Sequence, residues 1–327
     1  MSTPDSAPTL DLHAYQAAHE HAVLIAHPQR ARLWSRGADA IDLIHRMSTN
    51  DLRNLAELAG RPTVLTSPIG RIVALLHVIN LGKQALLLGG DGQATAIRRW
   101  LSGYIFFNDD VKITDAAPDI AYWGLYGKQA ARLGESLVAG ASSLPIYHAL
   151  PLADGWLVRV PGLAGAPAQP GDGYGLALPP ASLPAILAQL QSGGAVTAEQ
   201  DLYEILRLEA GYPKHGAELS EQYIPLEADL GYAVSFNKGC YIGQEIIARM
   251  ESRGKLAKTL VRLKAHQPMQ VGDTLLGSAG ERGVVTSAGF SPLQGWLAMG
   301  YIRPSAAQSG SALTVGIAPQ AHPATVV

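Results

Sequence analysis

A single cysteine, Cys240, stands in 327 residues. No internal disulfide can form, and one thiol in a chain of this length fits a reducing compartment better than an oxidising one. Charge is also scarce, at 16% of residues with a formal net value of −2. A nucleic-acid binder ordinarily carries a strongly basic domain, so no direct nucleic-acid partner is expected. Long apolar runs are missing too. The longest, Ile72 to Leu81, is interrupted by His77 and Asn80 and falls far short of the roughly 20 residues that span a bilayer. Met1 to Pro8 has neither the layout of a secretion signal nor the arginines of a transit peptide. A disordered tail is expected there, on a cytoplasmic protein with no membrane contact. What the chain has in quantity is hydrocarbon: 47% of its residues are hydrophobic, enough for two or three separate cores.

Periodicity divides the chain. Asp39 to Met47 places Ile41, Ile44 and His45 at helical spacing behind Asp39 as a cap. Strands are expected at Thr63 to Thr66 and Arg71 to Ile79, joined by the turn Ser67-Pro68-Ile69-Gly70, and at Ala85 to Leu88. Asp91 is expected to open a helix reaching Leu101. A second set of elements begins near Val111, with strands at Ile120 to Leu125 and Trp156 to Val160 and helices at Ala181 to Gln191 and Ala198 to Ala210. Pro161 to Gly175, rich in Gly, Pro and Ala, reads as a surface loop. From Lys258 onward short strands at 259–263, 274–276, 283–287, 297–302 and 313–317, punctuated by Gly and Pro, predict a small β-barrel. The expected partition is 12–115, 116–257 and 258–327.

Two places carry chemistry. In the helix ending at Gly211, Leu202, Ile205 and Leu206 mark a buried stripe whose next position is Glu209. A buried carboxylate needs a partner. Two readings stand: an internal salt bridge to Arg207 or a more distant arginine, or two N–H donors from a heterocycle's amidine-like edge. The second place is Asn237-Lys238-Gly239-Cys240-Tyr241-Ile242-Gly243-Gln244-Glu245, followed by a helix with Ile246, Ile247 and Met250 on its apolar face. A helix N-terminus and the Lys238 charge favour a thiolate at Cys240, and the flanking glycines allow close approach. A lone cysteine is more often a small buried hydrophobe, but this context argues for reactivity. One cysteine cannot hold a cluster or a zinc ion alone, so no permanently bound metal is expected. His215 reads either as a loop histidine or as a second ligand or proton shuttle. Arg249, Arg253, Lys255, Lys258, Arg262 and Lys264 form a basic strip suited to a solvated face, an acidic partner or the glutamate tail of a folate.

The segment Lys238 to Glu245 resembles the signature of the YgfZ-type folate-binding proteins, relatives of the mitochondrial iron–sulfur assembly factor. Gly37-Ala38-Asp39-Ala40, Ser48-Thr49-Asn50-Asp51, Arg207 to Pro213, Ile224-Pro225-Leu226-Glu227 and Gly283 to Ala288 resemble positions of the same family. The resemblance implies the fold of the glycine-cleavage aminomethyltransferase. That fold is α+β, with two lobes that can interleave in sequence and a C-terminal β-barrel around a central folate channel. It also implies tetrahydrofolate or a derivative as cofactor, held by Glu209, Arg207, Lys238, Tyr241, Asn50 and Arg249, with Cys240 and Lys238 as the reactive pair. The implied function is that of an accessory protein in iron–sulfur cluster assembly or repair, indirectly supporting cluster-dependent tRNA modification. Its expected partners are iron–sulfur proteins or A-type cluster carriers, and a monomer is expected. The alternative is a tetrahydrofolate-dependent aminomethyltransferase or demethylase, and a third possibility is a module that only stores or senses folate. Against transfer chemistry, Ala74 in Gly70-Arg71-Ile72-Val73-Ala74-Leu75 falls where the aminomethyltransferases place an acidic pair.

Overall fold

The computed structural model describes residues 10–166, 169–317 and 319–327, with the side chains of 164–166, 169–171 and 253 left aside. The tail expected at Met1 to Pro8 lies outside these residues. The chain forms two compact units that interleave in sequence.

The first unit comprises 10–28, 119–146 and 150–210. Its six-stranded sheet has the order 195–198, 22–26, 121–126, 169–178, 155–166, 149–152. Ala22–Ala26 pairs in parallel with Ala195–Ala198 and antiparallel with Ala121–Tyr126. Helices Leu12–Glu20, Ala130–Leu137, Leu183–Ser192 and Gln200–Ala210 belong to this unit. Leu24, Leu125, Leu133, Tyr174 and Leu176 form its core. Asp11 caps the first helix by accepting from the His13 and Ala14 amides at 2.9 and 3.2 Å, which satisfies two N–H groups that lack partners within the helix.

Pro161 to Gly175 is not the loop its composition predicts. Strands Gly155–Ala166 and Gln169–Leu178 pair antiparallel through most of it, and residues 167–168 lie outside the description. Glycine serves close packing here. A Cβ on Gly175 would lie 2.0 Å from the Tyr122 hydroxyl, and one on Gly173 would lie 2.7 Å from the Pro161 carbonyl.

The second unit contains 29–118, 147–149 and 211–327. A five-stranded sheet with the order 60–66, 72–80, 84–91, 30–36, 112–115 carries helices Ala40–Met47 and Ala94–Ser102. The strand near Val111 therefore closes this sheet rather than opening a second set of elements. Two local expectations are also corrected. Asp39 precedes its helix but does not cap it; its carboxylate accepts from the Asp110 amide at 2.8 Å. Asp91 ends a strand instead of opening a helix. The next helix starts at Ala94, behind a Gln93 side chain that accepts from Gly90 N and donates to the Val73 carbonyl.

The C-terminal strands 259–265, 295–302, 282–291, 274–276, 312–315 and 322–326 form a closed barrel, the last pairing back on the first. Leu263, Leu275, Ala298, Ile302 and Val315 fill it. Closure leaves no unpaired sheet edge. Among the described residues no helix is long and apolar enough to cross a membrane.

Candidate functional site

The segment leading to Cys240 is built around Lys238. Its side chain is 5% exposed, and its ammonium donates to the carbonyls of His45, Ser48 (2.6 Å) and Asn50 (3.1 Å). An ammonium has three N–H bonds, and all three are used here. Two of the acceptors lie at the C-terminal end of helix Ala40–Met47, where carbonyls lack helical partners and the dipole favours a cation. Burial pushes the Lys238 pKa down to about 8, which leaves the group charged at neutral pH. Burial and the Lys238 charge together lower the pKa of His45, whose Nδ1 accepts from the Leu52 amide at 3.2 Å.

The residues between these acceptors are stitched to the same segment. Thr49 Oγ1 donates to the Ala233 carbonyl at 2.6 Å and accepts from Val64 N at 2.9 Å, while Ser235 N donates to the Thr49 carbonyl at 2.9 Å. Asn50 donates through Nδ2 to the carbonyls of Pro62 at 2.8 Å and Tyr232 at 3.4 Å, and its Oδ1 accepts from Asp51 N at 2.9 Å. The Asn50 amide is thereby engaged with backbone at both ends.

Cys240 is exposed. It borders a cleft of about 500 Å³ that is also lined by Pro68, Tyr104, Ile242, Gln244 and Ile246. Helix Gln244–Arg253 follows, preceded by Gly243 at φ 82°. Only glycine fits there, because a Cβ would lie 2.6 Å from the Ser67 carbonyl and 2.8 Å from Gly70 Cα. The turn Ser67 to Gly70 is thus pressed against the backbone behind Cys240, and the Thr66 hydroxyl donates to the Ile242 carbonyl. Tyr241 packs with Val234, Leu226 and Ile247, its ring centroid 5.3 Å from Lys238 Nζ, and burial pushes its pKa up to about 12. Arg249 is exposed on the helix. The second unit therefore brings Asn50, Lys238 and Tyr241 together as the support of the Cys240 segment.

Glu209 and Arg207 lie in the first unit, on helix Gln200–Ala210. Glu209 is fully buried. The Tyr15 hydroxyl donates to its Oε1 at 2.5 Å, and His19 Nε2 lies 3.1 Å from its Oε2. Tyr15 and His19 are one helical turn apart on Leu12–Glu20, their rings 4.7 Å apart, so that one helix face presents both groups to the carboxylate. The described pairing of Arg207 is with Glu204, Nε to Oε2 at 2.7 Å. Helical spacing identified Glu209 as buried. It could not identify Tyr15 and His19, which are 194 and 190 residues away in sequence.

Ala74 and Leu75 point to opposite faces of their strand and are both buried. Ala74 packs among Leu65, Leu76 and Leu87, and Leu75 among Leu219, Tyr223 and Tyr301. Neither position offers a proton-accepting group, and hydrocarbon closes over both.

Comparison with known proteins agrees with this architecture. The GCVT N-terminal domain matches residues 11–238, and the glycine cleavage T-protein C-terminal barrel domain matches residues 258–327. A chloroplastic Arabidopsis thaliana protein named as a transferase is 28% identical over 94% of this chain and 71% of its own length. The aminomethyltransferase of Rubrobacter xylanophilus is 32% identical over 82% of this chain and 73% of its own. The crystal structure of glycine cleavage system aminomethyltransferase T from Bartonella henselae superposes with a TM-score of 0.83, covering 96% of this chain and 87% of that one at 24% identity. The fold is aminomethyltransferase-like, with two α/β lobes and a closed C-terminal barrel. By these matches, which together span nearly the whole sequence, the chain belongs to the glycine cleavage T-protein family.

Proposed function

We propose that this chain is a YgfZ-type member of the family: a cytoplasmic, monomeric, tetrahydrofolate-binding accessory protein that supports iron–sulfur cluster assembly or repair through Cys240. Cluster-dependent tRNA-modifying enzymes are among its indirect beneficiaries. The observation that carries this reading is the presentation of Cys240. A solvent-accessible thiol borders a cleft, on a segment fixed by a buried lysine spending three hydrogen bonds on backbone. A protein seldom buries a cation merely to shape a loop, because the desolvation cost is several kcal/mol. Rigid support beneath an exposed reactive group fits the demand for a thiol held in place for a partner. The partner class is an iron–sulfur protein or an A-type cluster carrier, with the cluster as cargo.

Tetrahydrofolate fits Glu209 in charge and acceptor capacity. A carboxylate accepts at about four lone-pair sites, and two N–H donors of a pterin edge match its geometry. Because Glu209 is fully covered, Tyr15 or His19 must give way before a ligand reaches it. Bound folate supplies a carrier for one-carbon units.

The second reading, an aminomethyltransferase or demethylase, is favoured by the names of the relatives. Ala74 and Leu75 weigh against it, since proton handling at a substrate nitrogen needs a positioned acid or base. The test is an assay with aminomethylated carrier protein and tetrahydrofolate. No turnover is expected, and turnover comparable to a glycine-cleavage enzyme would establish the second reading.

A further inference from the structure

The basic strip between Arg249 and Lys264 is used by none of the chemistry above, and the fold divides it. Arg249 is exposed on the helix that follows Cys240, and Lys264 is exposed on the first barrel strand. Lys258 turns to the Tyr223 ring, its Nζ 5.4 Å from the centroid. Lys255 instead lines a second cleft of the second unit, about 560 Å³ in volume, together with Leu256, Thr259, Arg303, Pro304 and Ser305. That volume suits a small organic molecule. The cleft shares no lining residue with the one at Cys240. Between them runs helix Gln244–Arg253 of 10 residues, about 15 Å long at 1.5 Å per residue.

Charge and hydrogen bonding give the second cleft its sign. The charged side chains in its walls are both cations, Lys255 and Arg303, and among the described residues neither makes an ion pair. Glu281, the acid that feels the Arg303 charge, is already engaged. Its Oε1 accepts from the Ser305 hydroxyl at 2.9 Å and its Oε2 from the Ala279 amide at 3.0 Å. The backbone N–H groups of Lys255, Leu256, Ala257 and Lys258 have no hydrogen-bond partner among the described residues. The carbonyls of Met250 and Glu251 at the helix end, by contrast, are both taken by Gly254 N at 3.1 Å.

A lysine just past a helix end has an ordinary duty, which is to offset the negative end of the helix dipole. That duty does not account for Arg303. It follows barrel strand Gly295–Ile302 and brings to the same cleft a planar fork, whose parallel N–H bonds match a carboxylate or a phosphate. The Thr259 hydroxyl adds a neutral donor, and Leu256 and Pro304 offer hydrocarbon to a carbon skeleton.

We propose that this cleft binds a small organic oxyanion with two or more negative groups, carboxylates or phosphates, held by Arg303 and Lys255. The guanidinium takes one group through two N–H bonds, the ammonium neutralises a second, and the unpartnered amides of 255–258 supply further donors. The site stands apart from Cys240 and does not depend on the cluster-assembly reading.

Pyrophosphate and citrate, titrated separately into the full-length chain at constant ionic strength and followed by calorimetry and amide NMR, test it. The two arms separate a phosphate ligand from a carboxylate one. At least one anion should bind with a Kd of about 1 mM or tighter and move the amide signals of Lys255 to Thr259. Arg303→Gln should weaken that binding by at least about tenfold, the scale of one charge-assisted hydrogen bond, and Lys255→Gln by about threefold, the scale of an exposed ion pair. Lys264→Gln, on the same strip but outside the cleft, should leave it unchanged. Failure of both anions to bind the wild-type chain, unchanged affinity in folded Arg303→Gln and Lys255→Gln, or an equal loss in Lys264→Gln, the mark of a diffuse charge field, would each overturn the proposal.

Discussion

Replacing Lys238 by methionine keeps the apolar stem and deletes the ammonium. Three charge-assisted bonds, to the carbonyls of His45, Ser48 and Asn50, are lost at about 1.5–3 kcal/mol each. Against this, burial has lowered the lysine pKa from 10.5 to about 8, a desolvation cost of roughly 3 kcal/mol that methionine does not bear. Subtracting that cost from the three lost bonds leaves an expected destabilisation of about 1.5–6 kcal/mol, read as a lower urea midpoint with an unchanged slope. Alkylation of Cys240 should become less uniform in rate as the supporting loop loosens. If instead Lys238 serves mainly to contact folate, the variant unfolds like wild type and loses only ligand affinity. That result would refute the reasoning, because the three carbonyls would then have no need of the ammonium.

Three further outcomes are expected. The folded-state pKa of His77, about 3, lies below its ordinary 6.5, so the stability tied to its neutral ring is present above pH 6.5 and is lost as pH falls toward 3. The loss is roughly 3 kcal/mol by about pH 4, and His77→Phe should flatten that part of a pH-stability curve measured in urea. Gly243→Ala places a Cβ 2.6 Å from the Ser67 carbonyl at a φ of 82°. It should destabilise by at least about 1–2 kcal/mol, visible in a thermal melt. Glu209→Ala should weaken tetrahydrofolate binding by about 1.5–3 kcal/mol in a calorimetric titration, and unchanged affinity would confine Glu209 to its bonds with Tyr15 and His19.

Elements with strong periodicity or turn chemistry were legible in the sequence. The helix at 40–47, the hairpin around Ser67 to Gly70 and the barrel strands stand within a few residues of expectation. What sequence reading missed depends on distant partners. Strand Lys112–Asp115 joins the sheet of 30–36 through a pairing that local pattern cannot encode. The hairpin through Pro161 to Gly175 looked like a loop because its glycines are selected by the Tyr122 ring and the neighbouring strand rather than by flexibility. The final strand His322–Val326 exists because the barrel must close. At the candidate site the motif around Cys240 was visible as a string. The role of Lys238 was not, since its acceptors lie 188 to 193 residues away.

The central claim is that Cys240 is required for cluster work and dispensable for folding. The most direct measurement is a deletion strain carrying wild-type or Cys240→Ser chain, scored for cluster-dependent enzyme activities, with the melting temperatures of both purified proteins measured alongside. The account predicts that wild type restores the activities, whereas Cys240→Ser melts like wild type and fails to restore them. Full restoration by Cys240→Ser, or cluster enzymes that are unaffected by the deletion, would contradict it.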